Sequence, residues 1–232
     1  MKHFYLLILS IVTFQQISAQ HENIEMKSFR AKEMKSFTNK MIAYNINPNT
    51  LNYDLQNQRM DVSLDPPVYM ISGSVTSHFK PNQSMSNIYF DLSNALTVSQ
   101  VTYHNQNLTF QQLTTKELKI DFPNALPANV LDSLTIQYSG TPPTANSAFS
   151  TGSQGGSPIL STLSEPYGAQ DWFPTKQSMN DKIEQFDFKI TTPSQYNVAA
   201  NGLLMSETIL PPGQKLTFWR TMYPTAAYLI AL

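Results

Sequence analysis

A chain of 232 residues with 41% hydrophobic content is long enough and apolar enough for one large β domain or two small domains. Only 13% of the residues are charged, and 15 Lys and Arg nearly balance 16 Asp and Glu, so nothing in the composition indicates a nucleic-acid partner. The absence of cysteine excludes disulfides, thiol catalysis and cysteine-bound metal, and leaves the packed core as the main source of stability.

Residues 1–19 have the pattern of a secretory signal peptide. Lys2 and His3 precede an apolar run at residues 4–14, and Ala19 ends a small-residue cleavage site. A membrane anchor is the alternative, but a membrane-spanning helix needs about twenty apolar residues and this run is shorter. We therefore predict cleavage before Gln20, no stable membrane insertion afterwards, and export to the periplasm or out of the cell.

Residues 20–50 form a polar leader segment. The segment contains a duplication, at residues 25–29 and 33–37, whose spacing fits neither a heptad nor a solenoid repeat. A break at residues 47–49, Asn-Pro-Asn, precedes the main domain, which we predict to cover residues 51–232.

The pattern of the main domain is that of β-strands. Residues 59–64 and 71–79 alternate polar and apolar side chains on either side of a turn at residues 65–67, which predicts two antiparallel neighbours. Further short candidates follow at residues 87–92, 96–103, 108–112, 117–121 and 133–138. Because turn signals recur about every eight to twelve residues, we predict an all-β fold, a saddle-shaped β-sandwich of mostly antiparallel strands.

Residues 144–158 interrupt this pattern with a stretch rich in Ser, Gly, Thr and Ala. We interpret the stretch as a long surface loop, and an interdomain linker is the alternative. The strand pattern resumes at residues 185–190, where Phe186, Phe188 and Ile190 share one face and are predicted to lie in the core.

Turn signals divide the last part of the chain. The pair Asn-Gly at residues 201–202 tolerates positive φ, which predicts a hairpin between residues 196–200 and 203–205. Residues 211–213, Pro-Pro-Gly, mark the next turn. Residues 226–232 are apolar and predicted to form a strand; no stop signal follows them, which favours a truncated chain.

Residues 163–178 read Leu-Ser-Glu-Pro-Tyr-Gly-Ala-Gln-Asp-Trp-Phe-Pro-Thr-Lys-Gln-Ser and follow neither the helical nor the strand period. Irregular, aromatic-rich backbone on a β-rich chain is typical of loops that contact ligands. Pro166 disfavours the α region for Glu165, so the backbone that carries this carboxylate is biased toward an extended conformation. From the residues alone, an ordinary surface loop with a solvated Glu165 is the alternative.

This stretch resembles the N-terminal-domain signature of the aminopeptidase N family of zinc metallopeptidases, whose bacterial branch reads Ser-Glu-Pro-Tyr-Gly-Ala-Lys-Asp-Trp-Trp-Pro-Cys-Lys-Gln-Ser. The chain departs from that signature at Gln170, Phe173 and Thr175. Other segments follow in the order and spacing of the family, so the resemblance covers about residues 51–232. These segments are residues 53–54, 71–75, 91–98 and 136–143.

The resemblance implies that Glu165 binds the free α-amino group of a peptide, with Pro166, Tyr167, Gly168 and Ala169 completing the substrate-binding segment. Such a role is physically reasonable, because a carboxylate selects an ammonium group by charge-assisted hydrogen bonds and a mid-chain amide carries no charge. The resemblance further implies removal of N-terminal amino acids by zinc-bound water. The expected partners are a peptide N-terminus and a missing catalytic domain that carries the zinc.

The family's own zinc motif does not occur in this sequence. It requires two histidines one helical turn apart with a glutamate between them, and the four histidines here stand alone. They are His3, His21, His78 and His104. We therefore expect no catalytic residue, no metal ligand and no cofactor in this chain, and no activity from the chain by itself. The sequence also lacks the Gly-x-Ser-x-Gly motif that would indicate a serine hydrolase.

The alternative function is a non-catalytic, secreted β-sandwich module that binds peptide or carbohydrate. It would use the rings of Tyr167, Trp172 and Phe173, although large aromatic side chains belong more often to the core. A His-Glu-x-x-His frame encoded beyond Leu232 would favour the enzyme, and a stop codon there would favour the module.

Overall fold

The computed structural model describes residues 47–232. The predicted signal peptide and almost all of the predicted leader segment lie outside the described residues. Within residues 47–232 the chain forms thirteen strands and three short 3-10 helices, and no α-helix. The strands are β1 (Tyr53–Asp65), β2 (Val68–Pro81), β3 (Met85–Asp91), β4 (Leu96–Tyr103), β5 (Gln106–Asn107), β6 (Thr109–Leu113), β7 (Glu117–Leu126), β8 (Asp132–Gly140), β9 (Phe149–Gln154), β10 (Ser157–Thr162), β11 (Gln185–Pro193), β12 (Leu203–Leu210) and β13 (Gln214–Thr221). The 3-10 helices are Pro48–Thr50, Ala169–Asp171 and Ala227–Leu229.

The described strands form one large and two small sheets. The large sheet has eight strands in the order β12-β13-β11-β1-β2-β8-β4-β5, and the small sheets are β3-β7-β6 and the hairpin β9-β10. Every pair of neighbours is antiparallel except β1 and β11, which run parallel from the pair Asn57 and Gln185 to the pair Ser63 and Thr191. The predicted all-β, mostly antiparallel, sandwich-like fold is confirmed.

The core lies between the large sheet and the three-stranded sheet. Tyr53 and Phe79 belong to β1 and β2, and the ring of Tyr53 lies 5.8 Å from the ring of Phe90 on β3. Phe122 on β7 approaches Phe79 with ring centroids 6.1 Å apart. Tyr53, Phe79 and Phe90 are fully buried, and burying side chains of this size stabilises a fold by about 1.5–3 kcal/mol each.

The alternation of polar and apolar residues correctly predicted the buried positions of strands that pack one face on this core. Met60 and Val62 of β1 are buried, whereas Arg59 is exposed on the opposite face. On β11, Phe186, Phe188 and Ile190 are fully buried as predicted. A half-buried strand produces this alternation because successive side chains point to opposite faces.

The prediction of a loop at residues 144–158 is wrong over most of its length. Residues 149–154 form β9, and Gly155 and Gly156 turn the chain with φ values of +57° and +83° into β10. This hairpin is polar and largely exposed, so its strands carry no apolar period to read. The linker alternative is also wrong, because the strands on either side, β8 and β11, belong to the same sheet.

The predicted hairpin at residues 201–202 does not form. Gly202 has the expected positive φ of +96°, but residues 196–200 are not a strand; they lie against β13, where the Trp219 indole donates to the Val198 carbonyl at 3.1 Å. The hairpin in this region joins β12 to β13 through residues 211–213. An Asn-Gly pair favours a tight turn locally, but tertiary contacts decide whether strands flank it.

The predicted strand at residues 226–232 is also wrong. This apolar segment contains the 3-10 helix Ala227–Leu229, and Asn201 holds its backbone by donating to the Leu229 carbonyl at 3.1 Å and accepting from the Ala231 amide at 2.7 Å. Ile230 is fully buried, so the apolar composition reflects core packing without a strand. Within residues 47–232, none of the helices has the length and apolar character that crossing a membrane requires.

Candidate functional site

Residues 163–178, which we call the Glu165 segment, lie between β10 and β11 and pack against the core face of the large sheet. Trp172 and Phe173 are fully buried, and Phe173 lies edge-on to Phe186 of β11 with ring centroids 5.8 Å apart. The Tyr138 hydroxyl on β8 donates to the Trp172 carbonyl at 3.0 Å. Trp172 and Phe173 are therefore core residues, and the ligand-contacting role that the alternative function gave to their rings is wrong.

Asp91, the last residue of β3, fixes the C-terminal half of the Glu165 segment. Its amide donates to the Thr175 carbonyl at 2.7 Å, and its carboxylate accepts from the Gln177 amide at 2.9 Å. The other carboxylate oxygen accepts from the Asn47 side chain at 3.0 Å. Because Asp91 is buried, these hydrogen bonds are shielded from water and hold the irregular backbone in one place.

An ion pair between the buried Lys176 and the largely buried Asp181 holds the end of the Glu165 segment. Lys176 is 5% exposed; its ammonium pairs with Asp181, donates to the Tyr53 carbonyl and lies 4.7 Å from the centre of the Tyr53 ring. Burial raises the pKa of the Asp181 carboxyl above its ordinary value, and the Lys176 ammonium opposes this rise. The pair links the segment to the start of β1, where the Leu55 amide also donates to Asp181 at 3.3 Å.

The Glu165 side chain is exposed, whereas both of its neighbours in sequence, Ser164 and Pro166, are buried. The peptide bond between Glu165 and Pro166 is cis. No basic side chain within residues 47–232 forms an ion pair with the Glu165 carboxylate. The arrangement thus presents a carboxylate to solvent from a backbone whose flanking residues are fixed in the protein.

The other residues of the predicted binding segment are divided between surface and interior. Tyr167 is half-buried, and its hydroxyl lies 3.8 Å from the sulfur of Met179. Ala169 is fully buried and begins a 3-10 helix, and the Gly168 amide donates to the Ser164 carbonyl at 2.7 Å. Of the five predicted residues, Glu165 and Tyr167 present side chains to solvent, while Pro166, Gly168 and Ala169 shape the backbone beneath them.

Sequence reasoning gave no role to Ser164, and the structure places its hydroxyl at the centre of the site. The hydroxyl donates to the Ile230 carbonyl at 2.9 Å and accepts from the Trp172 indole at 3.0 Å. These partners come from the Glu165 segment itself and from the last residues of the chain. A serine inside an irregular stretch carries no periodic signal, so only the neighbouring Glu165 marked the position.

The histidines described by the structure do not assemble a metal centre. His78 is half-buried on β2, and His104 lies in a turn where it contacts Asp132 at 2.8 Å and stacks on Tyr103. Among residues 47–232, no group of three or more His, Cys, Asp or Glu side chains is placed to hold a metal ion.

The structure thus defines an all-β domain with an exposed acid on an irregular segment, and comparison with known proteins gives its family. The sequence model of the peptidase M1 N-terminal domain matches residues 49–229. The chain belongs to this family, and the predicted kinship with the N-terminal domain of aminopeptidase N-like zinc metallopeptidases is confirmed.

Solved structures share the fold. The M1 zinc metallopeptidase from Deinococcus radiodurans matches with a TM-score of 0.69 and 23% identity over 78% of this chain and 41% of that chain. A variant of the Deinococcus radiodurans enzyme bound to a Tyr-Ser-Ala substrate gives 0.70 and 22% over 78% and 42%. A two-domain M1 zinc metallopeptidase variant bound to L-tryptophan gives 0.70 and 22% over 79% and 42%. This chain thus spans less than half the length of these structures, and no curated protein gives a significant match.

Proposed function

We propose that this chain is the substrate-binding domain of an exported zinc aminopeptidase, and that Glu165 binds the α-amino group of the peptide substrate. The observation that carries the proposal is the exposed Glu165 carboxylate on a backbone fixed by Ser164, Trp172 and Asp91. Family membership supports it, and so does the structure of an M1 relative bound to the tripeptide Tyr-Ser-Ala. The signal-peptide pattern of residues 1–19 supports export.

A fixed carboxylate would contribute to an aminopeptidase in two ways. It selects a free N-terminus, because an ammonium group forms charge-assisted hydrogen bonds that an acetylated amine does not. It also sets the distance between the amine and the bond to be cleaved, since a held reactant reacts faster than a mobile one. Both effects depend on a carboxylate that does not move, which the buried neighbours of Glu165 favour.

The zinc would belong to a second domain, as the two-domain description of an M1 relative supports. When bound there, zinc would supply the activated water for peptide hydrolysis. Ile230 contacts Ser164 of the Glu165 segment, and Leu232 contacts Thr162 just before that segment, so a catalytic domain joined after Leu232 would begin close to Glu165. In this proposal the chain's own residues bind and orient the peptide N-terminus and leave the chemistry to that domain.

The proposal predicts that Glu165 is required in a complete enzyme. We would join the whole chain at Leu232 to the part of the Deinococcus radiodurans M1 zinc metallopeptidase that the chain does not match, and assay hydrolysis of Tyr-Ser-Ala. Glu165→Gln should lower kcat/KM by about tenfold to 150-fold, because a hydrogen bond to a charged group contributes about 1.5–3 kcal/mol. The preference for Tyr-Ser-Ala over its N-acetylated form should fall with it.

The matched control is Glu184→Gln, which makes the same chemical change at an exposed acid just before β11. This variant should keep kcat/KM within about twofold of the parent fusion, as surface changes usually do. An unchanged amine preference in Glu165→Gln, in a folded and active fusion, would show that Glu165 does not bind the substrate amine.

A further inference from the structure

We infer that Ser164 is a positioning residue, whose single buried hydroxyl fixes Glu165 relative to residues 229–232. The inference deepens the proposed function and rests on it for its catalytic consequence. Ser164 does not touch the substrate in this scheme; its hydroxyl acts through the neighbouring Glu165.

The surroundings of the Ser164 hydroxyl permit one hydrogen-bonding arrangement. The side chain is 1% exposed, so water does not compete for its hydrogen bonds. A serine hydroxyl has one hydrogen to donate, and an indole N–H is only a donor. The hydroxyl must therefore accept from Trp172 at 3.0 Å and donate to the Ile230 carbonyl at 2.9 Å.

The backbone on either side of Glu165 is held as well. The Leu163 amide donates to the Ala148 carbonyl at 2.7 Å, and the Ser164 carbonyl accepts from the Gly168 amide at 2.7 Å. The bond between Gly168 and Ser164 closes a turn around Glu165, and the bond between Leu163 and Ala148 attaches the start of this turn to a neighbouring segment. The hydroxyl then fixes the orientation of the whole turn against the rest of the protein.

The partner of this hydroxyl on the other side is itself immobilised. Ile230 is fully buried, and Asn201 bonds the backbone on each side of it, at Leu229 and Ala231. Ser164 and Ile230 are 66 positions apart in sequence. One hydroxyl thus joins the acid-bearing turn to the segment after which, in the proposed function, the catalytic domain begins.

Removal of this hydroxyl should weaken binding of the substrate amine. In Ser164→Ala, Trp172 and Ile230 each lose a hydrogen-bond partner in the core, and the turn is free to shift. A displacement of about 1 Å in a positioned group can cost on the order of a hundredfold in rate. In the fusion enzyme, we expect Ser164→Ala to lower kcat/KM for Tyr-Ser-Ala by about tenfold to a hundredfold.

A double-mutant cycle separates positioning from a structural role. If Ser164 acts through Glu165, Ser164→Ala should have less than about a threefold further effect in the Glu165→Gln background, because coupled residues are not additive. Equal losses in both backgrounds would overturn the inference. A cycle in which Glu165→Gln alone has no effect would instead overturn the proposed function, and the two failures are distinguishable.

Two further variants keep the test conclusive. Ser164→Cys retains a weak donor and acceptor and should recover part of the amine preference, and it replaces Ser164→Ala if that variant fails to fold. Ser77→Ala is the matched control: Ser77 is also fully buried and accepts a side-chain hydrogen bond, from Gln58 at 2.9 Å. It should lower stability with less than about a threefold change in amine preference. A loss of preference in Ser77→Ala as large as in Ser164→Ala would overturn the inference.

Discussion

Replacing Lys176 by Met should destabilise the fold by about 3–5 kcal/mol, because it leaves a buried charge without its partner. Lys176 is 5% exposed, and its ammonium contacts both Asp181 and the Tyr53 carbonyl. Met retains the apolar stem but not the charge, so the Asp181 carboxylate would keep the Leu55 amide but lose its cation. For a domain of about 150–250 residues this loss corresponds to a fall in Tm of roughly 6–20 °C.

Two comparison variants test whether burial is the reason. Arg59→Met also removes the cation of an ion pair, with Asp61, but Arg59 is 48% and Asp61 33% exposed, and the expected loss is below about 1 kcal/mol. The double change Lys176→Met with Asp181→Leu removes both buried charges, and it should be closer to the parent than Lys176→Met alone.

The destabilisation by Lys176→Met should also depend on pH. The folded protein already raises the pKa of Asp181 by burial, and loss of the ammonium that opposes this effect raises the pKa further. A carboxyl group whose pKa is raised by folding contributes stability below its unfolded pKa and loses that contribution as pH rises through the folded pKa. The deficit should therefore be smaller near pH 4 than near pH 8.

Urea denaturation followed by circular dichroism, at both pH values, measures these differences directly. A Lys176→Met loss no larger than that of Arg59→Met would refute the reasoning from burial. A deficit that is the same at both pH values would refute the assignment of the cost to a charged Asp181.

Two further predictions concern stability. Burial and the nearby Asp132 carboxylate raise the pKa of Tyr103 to about 12, so the contribution of this group to stability is complete below about pH 10 and is lost as pH rises through about 12. The unfolding free energy of Tyr103→Phe should therefore fall less than that of the parent across this range. An identical fall in the two proteins would contradict this prediction. Gly202→Ala should lower Tm far more than Gly213→Ala. Both glycines have positive φ, but a Cβ added at Gly202 would lie 2.0 Å from the Arg220 carbonyl oxygen, whereas a Cβ added at Gly213 meets no atom within 4 Å. Thermal unfolding of the two variants compares them, and equal shifts would show that the backbone contact is unimportant.

The strands that could be predicted from sequence are those with one face on the core. The alternation along β1, β2 and β11 was visible because polar side chains face outward between buried ones. The hairpin β9-β10 has no buried face along most of its length, and residues 226–232 place Ala226, Ala227 and Ile230 in the core without forming a strand. In both places the pattern of apolar residues does not follow the backbone conformation, so the sequence periodicity could not predict the structure.

The candidate site was predictable only in part for a related reason. Glu165 could be selected because a local signature surrounds it, and the structure leaves its side chain exposed. The partners that hold it come from distant parts of the chain: Asp91 from β3, and Ile230 from the last residues. Nothing local in the sequence shows that a serine hydroxyl will meet a carbonyl 66 positions away.

The parallel ladder between β1 and β11 sets the order in which the domain can assemble. β1 and β2 adjoin in sequence and can pair early, whereas β11 must return across all the intervening strands before it reaches β1. Bringing together ends separated by on the order of a hundred residues carries an entropic cost that local hairpins avoid, and such distant pairings form slowly. β13 and β12 attach to the large sheet only through β11, so they must wait for it. The acid at position 165 lies just ahead of this late step, so a newly made chain would fix the surroundings of Glu165 only when the domain is nearly complete.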